Sequence, residues 1–395
     1  MTRTEPVLKL KPGKEKSLRR RHPWVYAMAI DRVIGHPAAG DTVRVTGADG
    51  SFLAWAAFSP TSMIRARAWS YLEPEQVDAA LITARVTAAV ARRQPLAAET
   101  TAVRLVFGEA DALPGLIVDR YGDQLVVQCQ SAGIEPWRET IIEALTAATG
   151  CRAIYERSDA AAREREGLAP SEGPLRGGEP TPVLVTEEGV RYRVDVVAGH
   201  KTGFYIDQRD NRSLVRANAA GRRVLNCFCY TGGFTLAARQ GGAIEATSVD
   251  SSAEALAMAA DHEKLNGFET PSTWLQANVF DALKAMVAEG RQFDLIVLDP
   301  PKFAPSVHHI DRAARAYKEI NLKALRLLAP GGLLFTFSCS GAVSLDLFQK
   351  IIAGAVFDAG VDAQMLKRLS AGVDHPMLMT HPEGEYLKGL MLRRM

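Results

Sequence analysis

The sequence predicts an α/β protein whose C-terminal half forms a parallel, doubly wound sheet, preceded by a small β-rich module and a small α+β region. Three observations predict this. From Val183 onward, apolar strand-like runs alternate with helical segments, the pattern of strands joined by helical crossovers. Before Leu72 the apolar runs are short and separated by Gly-Asp and Gly-Ala-Asp-Gly turns, which suits β structure. Residues 160–182 gather charge, glycine and proline and read as a loop or linker. At 395 residues the chain exceeds one ordinary core, and the expected division is 1–73, 74–182 and 183–395.

Within the first segment, Thr42–Thr46, Ser51–Phe58 and Met63–Trp69 are the expected strands. A polar, alanine-rich helix follows over about Pro74–Arg93. In the middle region Val103–Phe107, Leu116–Asp119 and Gln124–Gln130 read as strands, the last two joined by a hairpin signal across Arg120-Tyr121-Gly122-Asp123. A helix over Pro136–Thr149 and a strand over Ala153–Glu156 complete it. In the third segment Arg222–Cys227 is a strand and Thr231–Gln240 its helix. Ala246–Val249 comes next, followed by a helix opened by the capping pattern Ser251-Ser252-Ala253-Glu254 and closed by Asn266-Gly267. Thr273–Gln276 and Phe293–Leu298 are further strands. A helix over about Arg312–Leu328 carries Tyr317, Ile320, Ala324 and Leu328 on one face and stops at Pro330-Gly331-Gly332, after which Leu333–Ser338 is a fifth strand.

Composition narrows the class of function. With 47% apolar and 23% charged residues, a folded core rather than disorder is expected. No stretch approaches the roughly 18 to 20 apolar residues that span a bilayer, and MTRTEPVLKLKPGKEK lacks the apolar core of a signal peptide, so no membrane and a cytoplasmic location are expected. Five cysteines, an odd number in a long chain, argue for reduced thiols. Cys129 and Cys151 read as small buried hydrophobes; Cys227 and Cys229 lack a second pair for zinc, so no metal is expected. Net charge is only +2, yet Lys9, Lys11, Lys14, Lys16, Arg19, Arg20 and Arg21 crowd together shortly before Trp24 and Tyr26. Cations neutralise phosphates and rings stack bases, so this run is either an RNA contact or a solvated charged tail with Trp24 in the core.

The segment VLNCFCYTGGFTLAA is a strand, a glycine turn and a helix start. Gly232 and Gly233 admit a ligand close to the backbone, and the helix N-terminus offers N–H groups to an anion. One strand later Asp250 is placed to accept hydrogen bonds from ribose hydroxyls. Neither G-x-G-x-x-G nor a phosphate-binding G-x-x-x-x-G-K-[ST] loop is present, which points away from NAD and ATP and towards S-adenosylmethionine. DLIVLDPPKF delivers Asp299 at the carboxyl end of a buried strand, where ligands bind in open α/β sheets. Cys339, in an exposed-looking Ser-Cys-Ser-Gly, ends the next strand. If the two strands are neighbours, carboxyl and thiol can grip one planar base between them. That pair suits methylation of a pyrimidine at C5: thiolate addition at C6 makes C5 enamine-like, while Asp299 bonds the N3/N4 edge.

HKTGFYIDQRDNR, VLNCFCYTGGF, DLIVLDPPKF, FTFSCSG, DLFQKII and DHPMLMTHPEGEYLKGL resemble the ribosomal RNA large subunit methyltransferase I family, S-adenosylmethionine-dependent enzymes that make 5-methylcytosine in 23S rRNA. KPGKEKSLRRRHPWVYAMAI resembles that family's RNA-binding PUA domain, so the likeness covers nearly the whole chain. The resemblance implies a class I, Rossmann-like methyltransferase domain, a PUA domain and a small α+β middle domain. It implies Cys339 as nucleophile and Asp299 as its partner at the cytosine, near the cofactor. Phe228, Tyr230, Thr231, Gly232, Phe234, Asp250, Ser251, Asn278 and Phe280 would line the cofactor pocket, with Asp207, Gln208 and Arg209 close to cofactor or base. For RNA it implies Lys14, Lys16, Arg19, Arg20, Arg21, Lys201 and Lys302, with 23S rRNA as partner; a homodimer is compatible.

Two departures qualify the likeness. Lys302 stands where a related class carries a second cysteine after Pro-Pro, which excludes product release by that residue. Asn278 stands where an acid is common, so adenine would be met by an amide that both donates and accepts. Lys201 and Arg209 around Phe204 and Tyr205 are either a cofactor or RNA contact or a lead into the next helix. His308 and His309 read as surface residues. The alternatives are an exocyclic amino methyltransferase using Asp299-Pro-Pro, which would normally place an aromatic directly after the prolines, and a non-catalytic RNA-binding assembly factor.

Overall fold

Residues 5–268 and 271–395 are described by a computed structural model. By its contacts the chain forms two units. The first comprises the chain up to Thr186 with Arg193–Ile206 and Asp374–Gly384; the second comprises Glu187–Tyr192, Asp207–Val373 and Glu385–Met395.

The first unit holds two sheets. Six strands make one, in the order Trp24–Tyr26, Ile64–Ser70, Phe52–Phe58, Thr42–Thr46, Val7–Leu10, Ile30–Ile34. Three of them were not anticipated, and they bracket the basic run. That run is therefore part of an ordered module: Lys16–Arg19 is a short helix pinned by Leu18, which is buried, while Lys14, Lys16, Arg19, Arg20 and Arg21 are exposed. The second sheet runs Glu172–Arg176, Ala153–Arg157, Gln124–Cys129, Leu116–Tyr121, Ala102–Phe107. Its predicted hairpin has Tyr121 opposite Gln124, which leaves Gly122-Asp123 as a two-residue turn. Helices Ala79–Arg93 and Arg138–Thr149 cover it around a core that includes Ile82, Val86, Val118, Ile141 and Leu145.

Residues 160–182 are a correction. Asp159 caps a helix, Ala160–Arg165, by accepting from the Ala162 N–H at 2.6 Å, and Glu172–Arg176 is a strand. The strand tolerates Pro174 because it lies at the edge of its sheet, where a missing N–H breaks no ladder.

The second unit is built on seven strands, β1 (Arg223–Cys227), β2 (Glu245–Asp250), β3 (Thr273–Gln276), β4 (Phe293–Leu298), β5 (Leu328–Ser338), β6 (Ala363–Ser370) and β7 (Lys388–Arg394). Among the described residues six α-helices accompany them: α1 (Arg209–Ala217), α2 (Gly233–Gln240), α3 (Ala253–Asn266), α4 (Val279–Ala288), α5 (Ile310–Leu327) and α6 (Leu345–Ala359). The sheet order is β3-β2-β1-β4-β5-β7-β6. Alternate residues of β1 enter two cores: Leu225 and Cys227 pack with α4, α5 and α6, whereas Val224 packs with Val215 of α1 and Phe234 of α2. Burial on both faces explains why β4 is apolar almost throughout.

Strands β1 to β5 are parallel as predicted, but the sheet is mixed: β7 runs antiparallel to both β5 and β6. β5 also begins earlier than Leu333, at Leu328, with Pro330-Gly331-Gly332 absorbed where the register shifts. The cap of α3 is Ser252, whose Oγ accepts from the Ala255 N–H at 3.1 Å; Glu254 is not at the capping-box position. Register in β7 is pinned by Gly389, where a Cβ would meet the Phe337 ring at 2.4 Å. No helix among the described residues is long and apolar enough to cross a membrane.

Candidate active site

The strand order reverses beside β1, which has β2 on one side and β4 on the other, the place where open α/β sheets bind ligands outside the carboxyl ends of their strands. The loop leaving β1 bends sharply. Phe228 (φ 61°), Tyr230 (φ 48°) and Gly232 (φ 83°) all take left-handed backbone, an arrangement that costs energy at the two aromatic residues and marks a shaped site. Asp250 holds it: Oδ2 accepts from the Tyr230 N–H at 2.8 Å and Oδ1 from the Ser252 N–H at 3.0 Å. A Cβ at Gly232 would lie 2.8 Å from the Trp274 ring and 3.1 Å from the Ala259 Cβ, so that turn admits only glycine. Thr231 and Phe234 are buried, and Ser251 is exposed.

At the end of β3, Asn278 caps α4 by accepting from the Phe280 N–H at 2.9 Å. Its oxygen keeps a second lone pair and its amide N–H₂ stays available, so it can still both accept from and donate to a ligand. Phe280 and Phe228 lean on Phe303, with ring centroids 6.0 and 6.3 Å away, and Phe303 in turn lies 4.9 Å from Tyr317. Sequence reasoning gave Phe303 no role, yet it is the hub of this cluster.

Asp299 emerges from β4 partly exposed, its N–H 3.4 Å from the Cys227 carbonyl. Strand β5 is its neighbour, with Leu298 opposite Thr336. The Cys339 sulfur lies 3.9 Å from the Pro300 carbonyl, at the Asp-Pro-Pro corner. Cys339 is partly exposed, whereas Cys129, Cys151, Cys227 and Cys229 are buried. Burial pushes the Cys129 thiol up to about 12 and holds those of Cys227 and Cys229 well above the usual range, so none of the three is a thiolate. The serines beside Cys339 are not exposed, contrary to expectation. Ser338 and Ser340 are fully buried. Ser338 donates to the Tyr317 hydroxyl at 2.9 Å, which lies 3.1 Å from the Ser340 Oγ, and that atom accepts from the Ala304 N–H at 3.1 Å. One tyrosine thereby ties the thiol-bearing turn to the loop after Pro-Pro.

A family model described as S-adenosylmethionine-dependent methyltransferase matches residues 102–372, and a PUA-like domain model matches residues 8–71. Ribosomal RNA large subunit methyltransferase I of Shewanella denitrificans is 48% identical over 392 residues, covering 98% of each chain. Its counterpart from Aeromonas salmonicida is 49% identical over 385 residues, 96% of this chain and 97% of the other. The chain belongs to the ribosomal RNA large subunit methyltransferase I family. Among solved structures, a protein from Streptococcus mutans described as a SAM-dependent methyltransferase superposes with a TM-score of 0.83 at 24% identity, over 98% of this chain and 99% of that one. A second, SMU.776 complexed with SAH, gives 0.85 at 23% identity with the same coverage. These two establish the fold, Rossmann-like for the methyltransferase domain, and membership of the methyltransferase I family makes S-adenosylmethionine the cofactor.

The residues present fit that cofactor. The N-terminus of α2 has no side-chain cap, so its N–H groups can receive a carboxylate. Asp250 keeps lone pairs beyond the two N–H groups that orient it. Asp207, Gln208 and Arg209 are buried: Asp207 accepts from the Tyr386 hydroxyl at 2.6 Å and Gln208 from the Asn211 amide at 2.7 Å, while Arg209 faces Asp210 at 3.3 Å. Lys302 is exposed directly after Pro-Pro, and His308 and His309 are exposed as predicted. In the first unit Lys201 sits 4.3 Å above the Tyr205 ring, and Trp24 is half-buried with its indole N–H donating to Glu109 at 2.8 Å. No cluster of metal-ligating side chains occurs among the described residues.

Proposed function

We propose that the protein methylates C5 of a cytosine in 23S rRNA through a covalent adduct between Cys339 and C6 of the base. The observation that carries this reading is the partly exposed Cys339 sulfur, 3.9 Å from the Pro300 carbonyl beside Asp299. Support for rRNA as substrate comes from the names of the relatives and from the PUA-like module. Bound S-adenosylmethionine supplies an electrophilic methyl group. Tyr230, Gly232 and the start of α2 would hold its amino-acid end, Asp250 its ribose, and Asn278 and Phe280 its adenine. Cys339 adds to C6 as thiolate, and the C5=C6 electron pair becomes enamine-like as Asp299 hydrogen-bonds the N3/N4 edge. After C5 has been methylated and deprotonated, the carbon–sulfur bond breaks and the thiolate returns. Phe303 is packed among Phe228, Phe280 and Tyr317 rather than standing next to the prolines as a free stacking surface, which favours C5 over the exocyclic amine.

The test is incubation with 23S rRNA followed by mass-spectrometric mapping of methylated cytosines, with a parallel incubation on RNA containing 5-fluorocytidine. Methyl at C5 and a protein–RNA adduct at Cys339 are expected. Methyl on N4 without an adduct would establish the exocyclic reaction instead, and no methylation would leave a binding factor.

The basic run should contribute through counterion release. Replacing Arg19, Arg20 and Arg21 by serine is expected to weaken rRNA binding and to lower the slope of log Kobs against log salt by about two. Filter binding between low and moderate salt reads this directly. An unchanged slope would assign the run to solubility alone.

A further inference from the structure

Lys388 is the one lysine buried to 3% exposure among the described residues. It opens β7 directly opposite Ser338 of β5, and its Nζ donates to the Ser340 carbonyl at 2.9 Å, so the side chain reaches from beside the residue before Cys339 to the residue after it. Among the described residues no carboxylate lies within ion-pair distance of it, and Glu385 acts on it only from farther away, so the buried cation has no direct counter-ion. Such a charge is costly unless something nearby gains from it. The thiol in the proposed reaction has that need: its nucleophile must be a thiolate, and the end of a buried strand does not by itself provide one.

We infer that Lys388 is the positioning residue that holds Cys339 as a thiolate, its ammonium supplying a counter-charge to the sulfur. This inference rests on the cytosine C5 reading above. Ionisation breaks the S–H bond, sends the proton to solvent and leaves the electron pair on sulfur beside the ammonium. Addition places that pair in the S–C6 bond, and elimination returns it to sulfur, with Lys388 protonated throughout. The electrostatics agree: burial pulls the Lys388 ammonium below its usual range, while Glu385 and the Cys339 side chain push it back up and Lys302 opposes them. Tyr317, which also feels Cys339, is held neutral chiefly by burial.

The experiment is the pH profile of Cys339 alkylation by iodoacetamide in the full-length protein, quantified on the Cys339 peptide. In the wild-type protein the midpoint is expected below about 7.5, against about 8.5 for an ordinary cysteine. Lys388→Met and Lys388→Gln are each expected to raise it by about one unit or more, slowing alkylation at neutral pH roughly tenfold, and Lys388→Arg to restore much of the difference. Glutamine keeps a donor for the Ser340 carbonyl and loses only the charge, so a wild-type profile in Lys388→Gln would reduce Lys388 to a hydrogen-bonding strut. A wild-type midpoint at or above the ordinary value would overturn the inference without any variant. Because alkylation involves no RNA, these outcomes are independent of whether cytosine C5 is the target.

Discussion

Cys339→Ala is expected to lose cytosine methylation by at least about 10³-fold while binding S-adenosylhomocysteine as the wild type does. The size follows from the role proposed for the residue. Without sulfur at C6 there is no route to an enamine-like C5, and removing a nucleophile that defines the pathway costs on the order of 4 kcal/mol or more in the transition state. The specificity follows from the fold: the side chain is small, sits beyond the end of β5, and is flanked by two serines whose hydrogen bonds to Tyr317 do not involve it. The fold should therefore tolerate alanine. Single-turnover methyl transfer and calorimetric titration with S-adenosylhomocysteine separate the two effects. A variant that still methylates C5 would remove Cys339 from the mechanism.

Asp250→Ala should fail at the other end of the reaction, in cofactor binding. Two backbone N–H groups, of Tyr230 and Ser252, lose a charged acceptor together. Hydrogen bonds to charged groups contribute about 1.5 to 3 kcal/mol each, and Tyr230 would no longer be held at φ 48° against its own preference. The expected result is a dissociation constant for S-adenosylhomocysteine raised at least about 100-fold, near 3 kcal/mol. Asp250→Asn, which keeps one acceptor oxygen, should fall between. Calorimetry reads both, and an unchanged affinity in Asp250→Ala would mean that the β1 loop keeps its shape without this carboxylate.

Much of the second unit was legible because its strands are buried on both faces and so announce themselves as unbroken apolar runs with turn residues between them. β4 and the apolar end of β5 are of that kind, and so are the Asp299 and Cys339 that follow them. The mixed edge was not legible. β6 is largely exposed, with the pattern AQMLKRLS, and β7 follows a loop of Pro, Gly and Glu, so neither carries the apolar signature of a central strand. Lys388 could not be singled out for the same reason: a lysine near a strand gives no signal until pairing register sets it opposite Ser338. Ser338 and Ser340 misled in the other direction. Serine next to glycine reads as exposed, and only Tyr317, about twenty residues away in sequence, explains why both are buried. In the first unit the strand at Glu172–Arg176 was hidden by a proline that an edge position permits.

The antiparallel placement of β7 bears on how the protein is made. Strands β1 to β5 can pair in the order in which they are synthesised, but β5 waits for its second neighbour until residues 388–394 exist, after α6 and β6 have been translated. During that interval the flank of β5 presents unsatisfied backbone groups, the condition that invites mispairing, and the amine of Lys388 is absent from the turn that carries the thiol. If Lys388 holds the thiolate as inferred, a nascent chain gains that charge beside the sulfur only as its sheet closes.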